Sequence, residues 1–142
     1  MPPKQSVTQY SVPVKNEPGQ LHKIALALAK EQVNVIGIAS ETISDVGYVR
    51  FLAERNLTVK KVLADQGFQV FETPVFCVAL PNKPGQLARL TEVLEENGIN
   101  IETIYGTTSD GEHANLVLSV NRPDKAEKVL AQFSEGLIIV NR

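Results

Sequence analysis

Apolar residues recur along this chain with two periods, one of about two and one of about 3.6, and the periods alternate. Residues 9–15 alternate around Val12 and Val14 and predict a strand. Leu21, Ile24, Ala25, Leu28 and Ala29 then recur at helical spacing. Pro18 suits the first turn of that helix, where a missing N–H costs nothing. Val35, Ile36, Ile38 and Ala39 open a second strand, Asp45-Val46-Gly47 turns the chain, and residues 48–53 return as a third. Val59, Val62 and Leu63 share one helical face within residues 58–66, Gly67 follows as a stop, and residues 68–71 read as a fourth strand.

The same order then repeats. Residues 75–80 predict a strand and 84–96 a helix with Leu87, Leu90, Val93 and Leu94 inward. Residues 100–105 and 115–120 form a hairpin, 123–133 a helix with Asp124 in its first turn, and 137–140 a closing strand. The repeat is also literal. Asn16-Glu17-Pro18-Gly19-Gln20-Leu21 returns as Asn82-Lys83-Pro84-Gly85-Gln86-Leu87, 66 positions later (16 to 82). Leu28, Val33, Asn34 and Ile38 keep that offset against Leu94, Ile99, Asn100 and Ile104. Lys61-Val62-Leu63-Ala64 matches Lys128-Val129-Leu130-Ala131 at an offset of 67. One inserted residue around 109–111, in the predicted hairpin turn, accounts for the slip; loops absorb such insertions cheaply.

The predicted fold class is therefore α+β: two tandem ferredoxin-like βαββαβ modules, residues 7–72 and 73–142, each an antiparallel sheet with its helices on one face. No Gly/Ser linker separates them, and so short a connection suits modules held in a fixed relation. Each is near the lower size limit for independent stability, so burial against another copy would help both.

Composition narrows the function. Of 142 residues, 43% are hydrophobic and 21% charged, enough for packed cores. The net charge of −2 supplies no basic face for nucleic acid or a membrane surface. A lone cysteine, Cys77, cannot form an internal disulfide and reads as a small core residue. With no signal-peptide pattern at the start and no apolar run of membrane length, the expectation is a soluble cytoplasmic protein. His22 and His113 are not spaced as metal ligands, and no nucleophile–base motif, phosphate loop or dinucleotide fingerprint is present, so neither an enzyme nor a cofactor is expected.

A βαββαβ unit with Asn-x-Pro-Gly-x-Leu after its first strand, and Asn at the start of its second, resembles the ACT domain. That family consists of small amino-acid-sensing modules, attached to metabolic enzymes and transporters or standing alone in tandem. The resemblance runs from about Gln9 to Val140. It implies an effector pocket built from the turn after the first strand and the start of the second, often across a domain–domain interface. Carried over, these are Asn16, Glu17, Pro18 and Gly19 with Asn34, Val35 and Ile36, and Asn82, Lys83, Pro84 and Gly85 with Asn100, Ile101 and Glu102. The paired asparagines are similar to those of serine-binding members, although Val14 and Leu80 stand where some of those have His. The implied ligand is a small amino acid, the implied partner a metabolic enzyme, and the implied assembly a homodimer under allosteric control.

The residues allow this chemistry. A helix N-terminus offers N–H groups to a carboxylate, glycine lets backbone approach closely, and an Asn amide both donates and accepts. They also allow a local role, with Asn16 and Asn82 as turn or cap residues and Asn34 and Asn100 at the left-handed end of a helix. Three functions stand side by side: an amino-acid sensor, a regulatory subunit of a biosynthetic enzyme similar to the acetolactate synthase small subunit, and a small enzyme on a ferredoxin-like scaffold.

Overall fold

The computed structural model describes residues 7–54, 57–108 and 110–133. The chain separates into two compact units that divide between Thr73 and Pro74.

In the first unit the order is β1 (Val7–Lys15), α1 (Gln20–Lys30), β2 (Gly37–Ile43), β3 (Val46–Glu54), α2 (Leu57–Asp65) and β4 (Phe71–Thr73). The sheet runs β2-β3-β1-β4, and every pairing is antiparallel. Alternation puts Tyr10 and Val12 of β1 on the same face as Val49, Phe51 and Ala53 of β3. That face packs against Ile24, Ala27 and Leu28 of α1 and Val59 and Leu63 of α2, so both helices cover one side. Tyr10 and Phe51 are cross-strand partners whose rings stack 5.2 Å apart, a pairing worth about 0.5–1.5 kcal/mol beyond its buried area.

The second unit repeats the plan with β5 (Phe76–Pro81), α3 (Gln86–Glu96), β6 (Ile101–Thr108), β7 (His113–Val120) and α4 (Pro123–Phe133). Its described strands run β5-β7-β6, again antiparallel. Phe76, Val78 and Leu80 meet Leu90 and Leu94 of α3, Leu118 and Val120 of β7, and Ala126 and Leu130 of α4 in one core. Leu90, Leu94, Leu118 and Leu130 are fully buried, each contributing about 1.5–3 kcal/mol of transfer free energy. The closing strand expected at 137–140 lies outside the described residues.

Several element boundaries differ from the periodicity. The fourth strand begins at Phe71, not at residue 68. The cause is the end of α2: Gly67 takes φ +88°, its N–H donates to Ala64 O, and the Phe68 N–H donates to Leu63 O. This Schellman closure commits Phe68 to the helix end and delays the ladder. The same closure ends α1 through Gln32 and Val33, and α3 through Gly98 and Ile99. Consequently β2 begins at Gly37, not at Val35, and β6 at Ile101, not at residue 100. Cys77 is half-buried and alternates with the core residues Phe76 and Val78, so it occupies the sheet face away from the helices and does not join the core.

Candidate functional site

The two Asn-x-Pro-Gly turns have one backbone design. Residues 16–19 and 82–85 lead into α1 and α3, whose N-caps are Gly19 and Gly85 at φ +90°. Neither helix has a side-chain cap, and neither has an acidic residue in its first turn. The proline therefore sits in the turn before the helix, not inside its first turn, because the left-handed glycine must intervene. A Cβ at either glycine would meet nothing within 4 Å, so glycine is needed for its φ, and open space lies in front of it. The first intrahelical bonds are Lys23 N–H to Gly19 O and Arg89 N–H to Gly85 O, each 3.0 Å. The N–H groups of Leu21, His22, Leu87 and Ala88 precede these bonds, as in any uncapped helix start.

Of the local roles considered for the asparagines, the turn is found at Asn16 and Asn82, and the cap and the left-handed helix end are not. Asn16 and Asn82 do not cap the helices, since glycine occupies that position. Asn34 and Asn100 do not take the left-handed helix ends, which belong to Gln32 (φ +56°) and Gly98 (φ +68°). All four asparagines are exposed. The Asn16, Asn34 and Asn100 side chains form no hydrogen bond with the described residues. The Asn82 amide donates from Nδ2 to Gly111 O at 3.1 Å.

Register places the two halves of each predicted pocket apart. Strands β1 and β2 both run antiparallel to β3, so they point the same way. Lys15 and Ile43 both pair with Val46, which puts Asn16, Glu17, Pro18 and Gly19 at the β2–β3 hairpin end of the sheet. Gln9 and Gly37 both pair with Leu52, which puts Asn34, Val35 and Ile36 at the other end. Six strand steps separate those levels, about 20 Å. The second unit repeats this. Asn82, Lys83, Pro84 and Gly85 lie at the β6–β7 hairpin, with Pro81 paired to His113, and Asn100, Ile101 and Glu102 lie by the end of β7. One module thus brings together each turn and its hairpin tip, but not the turn and the strand start.

Each segment has neighbours that the spacing did not single out. Asn16 N–H reaches Asp45 O at 3.3 Å, and Asn82 N–H reaches Glu112 O at 2.8 Å. Asn100 is bridged to Asn121 twice: its N–H donates to Asn121 Oδ1 at 2.9 Å, and Asn121 N–H donates to Asn100 O at 3.1 Å. Between Ile101 and Thr103 the register slips, leaving Glu102 as the extra residue of a bulge. Thr91, Glu95, Gly98, Ile99, Asn100 and Ile101 line an open depression of about 440 Å³ beside it. Thr91 and Glu95 stand four apart on α3 and share a face by helical spacing, the one sequence signal that could have found them.

The β6–β7 tip is organised by Asp110, whose Oδ1 accepts the N–H groups of Glu112 (2.8 Å) and His113 (2.9 Å). Those backbone donors hold its carboxyl below the usual carboxylate range, with His113 adding a smaller effect from 3.7 Å. Thr108 Oγ1 accepts the Gly111 N–H at 3.0 Å. On the far sheet face, burial pushes the Cys77 thiol up to about 11.

Residues 5–139 match the family described as an ACT domain pair, and the chain belongs to that family. The fold is accordingly two tandem ferredoxin-like ACT modules. The chain is similar to protein BT0572 from Bacteroides thetaiotaomicron, with 30% identity, a TM-score of 0.79, and coverage of 89% of this chain and 88% of that one. It shares its fold with the regulatory subunit of aspartate kinase from Thermus thermophilus in ligand-free form, with 16% identity, a TM-score of 0.68, and 92% and 94% coverage. No curated protein matches. Among the described residues, no helix is long and apolar enough to cross a membrane.

Proposed function

We propose that this chain is a non-catalytic regulatory protein that binds a small amino acid at its Asn-x-Pro-Gly turns and so controls a metabolic enzyme. The observation that carries the reading is the pair of helix starts. Each is closed by a left-handed glycine, carries no side-chain cap and no acid in its first turn, and opens onto free space. Such a start suits a carboxylate. An exposed Asn amide and strand-start carbonyls suit the ammonium. Because turn and strand start lie at opposite ends of one sheet, a pocket using both takes the backbone of the turn at 16–19, or at 82–85, from one module. It takes Asn34 to Ile36, or Asn100 to Glu102, from a second copy of the chain. A ligand bound that way stabilises the paired copies over the separate ones, by its difference in affinity for the two.

A screen of the twenty amino acids by thermal shift tests the reading. A ligand at one hundred times its Kd adds about 2.7 kcal/mol to the folded state, so at least one amino acid at millimolar concentration raises the melting temperature. Twenty flat responses sink the sensor. A second reading, a regulatory subunit acting by protein contacts, draws on the fold shared with the aspartate kinase regulatory subunit. It predicts capture of a biosynthetic enzyme from the native host without added amino acid.

A further inference from the structure

The one-residue insertion in the second copy falls where it can act on the second turn. The shorter β2–β3 turn meets Asn16 through a single backbone bond, Asn16 N–H to Asp45 O at 3.3 Å. The longer β6–β7 tip takes two bonds from Asn82, one from its backbone N–H to Glu112 O (2.8 Å) and one from its amide Nδ2 to Gly111 O (3.1 Å). The tip that presents those carbonyls is itself built by Asp110 and Thr108.

We propose that Asn82 is a positioning residue: its amide latches the second Asn-x-Pro-Gly turn to the β6–β7 hairpin and holds the N–H groups at the start of α3 in place, without touching the ligand. The inference rests on the sensor reading above and assigns its two turns different jobs. Asn16 has its amide free of the described residues, so the first copy keeps the turn and lacks the latch. The Asn82 amide commits one of its two Nδ2 hydrogens to Gly111 O, and the orientation of the turn passes through the hairpin.

Two full-length variants separate positioning from contact. Asn82→Asp removes the donor and keeps an acceptor at the same place. Asp110→Ala dismantles the tip and leaves Asn82 intact. Under the proposal, amide hydrogen exchange at Asn82 and Glu112 accelerates in both variants. The affinity for whichever of the twenty amino acids gives the largest thermal shift falls about fivefold in each, as expected for one lost hydrogen bond, and the double variant is no worse than either. Unchanged exchange in Asn82→Asp overturns the latch. So does unchanged affinity in both variants, or a loss confined to Asn82→Asp. If no amino acid binds at all, the sensor reading fails, and exchange alone then decides whether the latch exists.

Discussion

The two ACT modules of this chain show what a duplicated fold keeps and what it releases. They keep the backbone devices. Gly19 and Gly85 start α1 and α3 at the same φ, and Leu28 and Leu94 accept the same helix-closing bond, from Val33 and Ile99 at 2.9 Å in both. They release the side chains around those devices. Glu17 stands where Lys83 does, Ile36 where Glu102 does, Gln32 where Gly98 does and Ser40 where Gly106 does. Glycine is kept at the φ +90° helix starts, where a side chain would be strained, but not at the helix ends or at the Ser40/Gly106 position, where the first copy carries a side chain. Exposed charges tolerate exchange freely, and through them the two turns diverge in chemistry while staying alike in shape.

Gly106 offers the largest test of that contrast. It pairs with Leu116 in β6–β7, as Ser40 pairs with Val49 in β2–β3. A Cβ at Gly106 would collide with Asn115 O, lie 2.6 Å from Leu116 Cδ2 and 2.9 Å from Leu116 Cα. Transplanting the first copy's residue as Gly106→Ser therefore costs about 3 kcal/mol by overpacking, read as a lower denaturation midpoint. Adding Leu116→Val relieves the Cδ2 contact and leaves the backbone contacts, so rescue is partial. A neutral Gly106→Ser would mean that the two sheets are interchangeable at this point.

A smaller and reciprocal effect is expected at the ends of α1 and α3. Gln32 holds φ +56° where Gly98 holds φ +68°. A side chain in the left-handed region costs about 1–2 kcal/mol, part of which glycine returns through greater freedom of the unfolded chain. Gln32→Gly should stabilise the protein by about 0.5–1 kcal/mol, and Gly98→Gln should destabilise it by a similar amount. Opposite signs in urea denaturation support the equivalence of the two helix ends. Equal signs refute it.

Much of this architecture was legible in the chain. The doubled Asn-x-Pro-Gly-x-Leu and the switch of apolar period are local signals, and the family match and fold agree with them. Boundaries were less legible where a helix closes on itself. The apolar residues Phe68, Val35 and Ile36 look like strand but lie beside Schellman turns, whose bonds are backbone and carry no side-chain signature beyond Gly67 or Gly98. The candidate site was legible as segments and not as a place. Sequence puts Asn16 eighteen residues from Asn34 (16 to 34), and only the strand register reveals that they sit at opposite ends of a sheet. The Asn82–Gly111 bond, 29 residues apart, left one trace, the slip of the repeat from 66 to 67.

The smallest effect belongs to Cys77, whose counterpart in the first copy is Ser11. Both are half-buried, and both sit opposite the core side of their strands, Ser11 between Tyr10 and Val12 and Cys77 between Phe76 and Val78. Since the first copy already carries a hydroxyl in this environment, Cys77→Ser should change stability by less than about 1 kcal/mol, well below the cost of a buried hydroxyl in a true core. The thiol nevertheless has its own pH signature. Its folded pKa of about 11 exceeds the ordinary 9.0 because burial disfavours the thiolate. A raised pKa of this kind leaves its contribution intact below pH 9.0 and loses it as pH climbs toward about 11, because the unfolded chain ionises first. The wild-type protein should therefore lose stability across that window more steeply than Cys77→Ser. Its thiol should also react with a disulfide reagent at pH 8 far more slowly than after unfolding in urea, since the thiolate is the nucleophile. Fast labelling of the folded protein would show that this sheet face is open to solvent at Cys77, and the parallel with Ser11 would then end at the sequence.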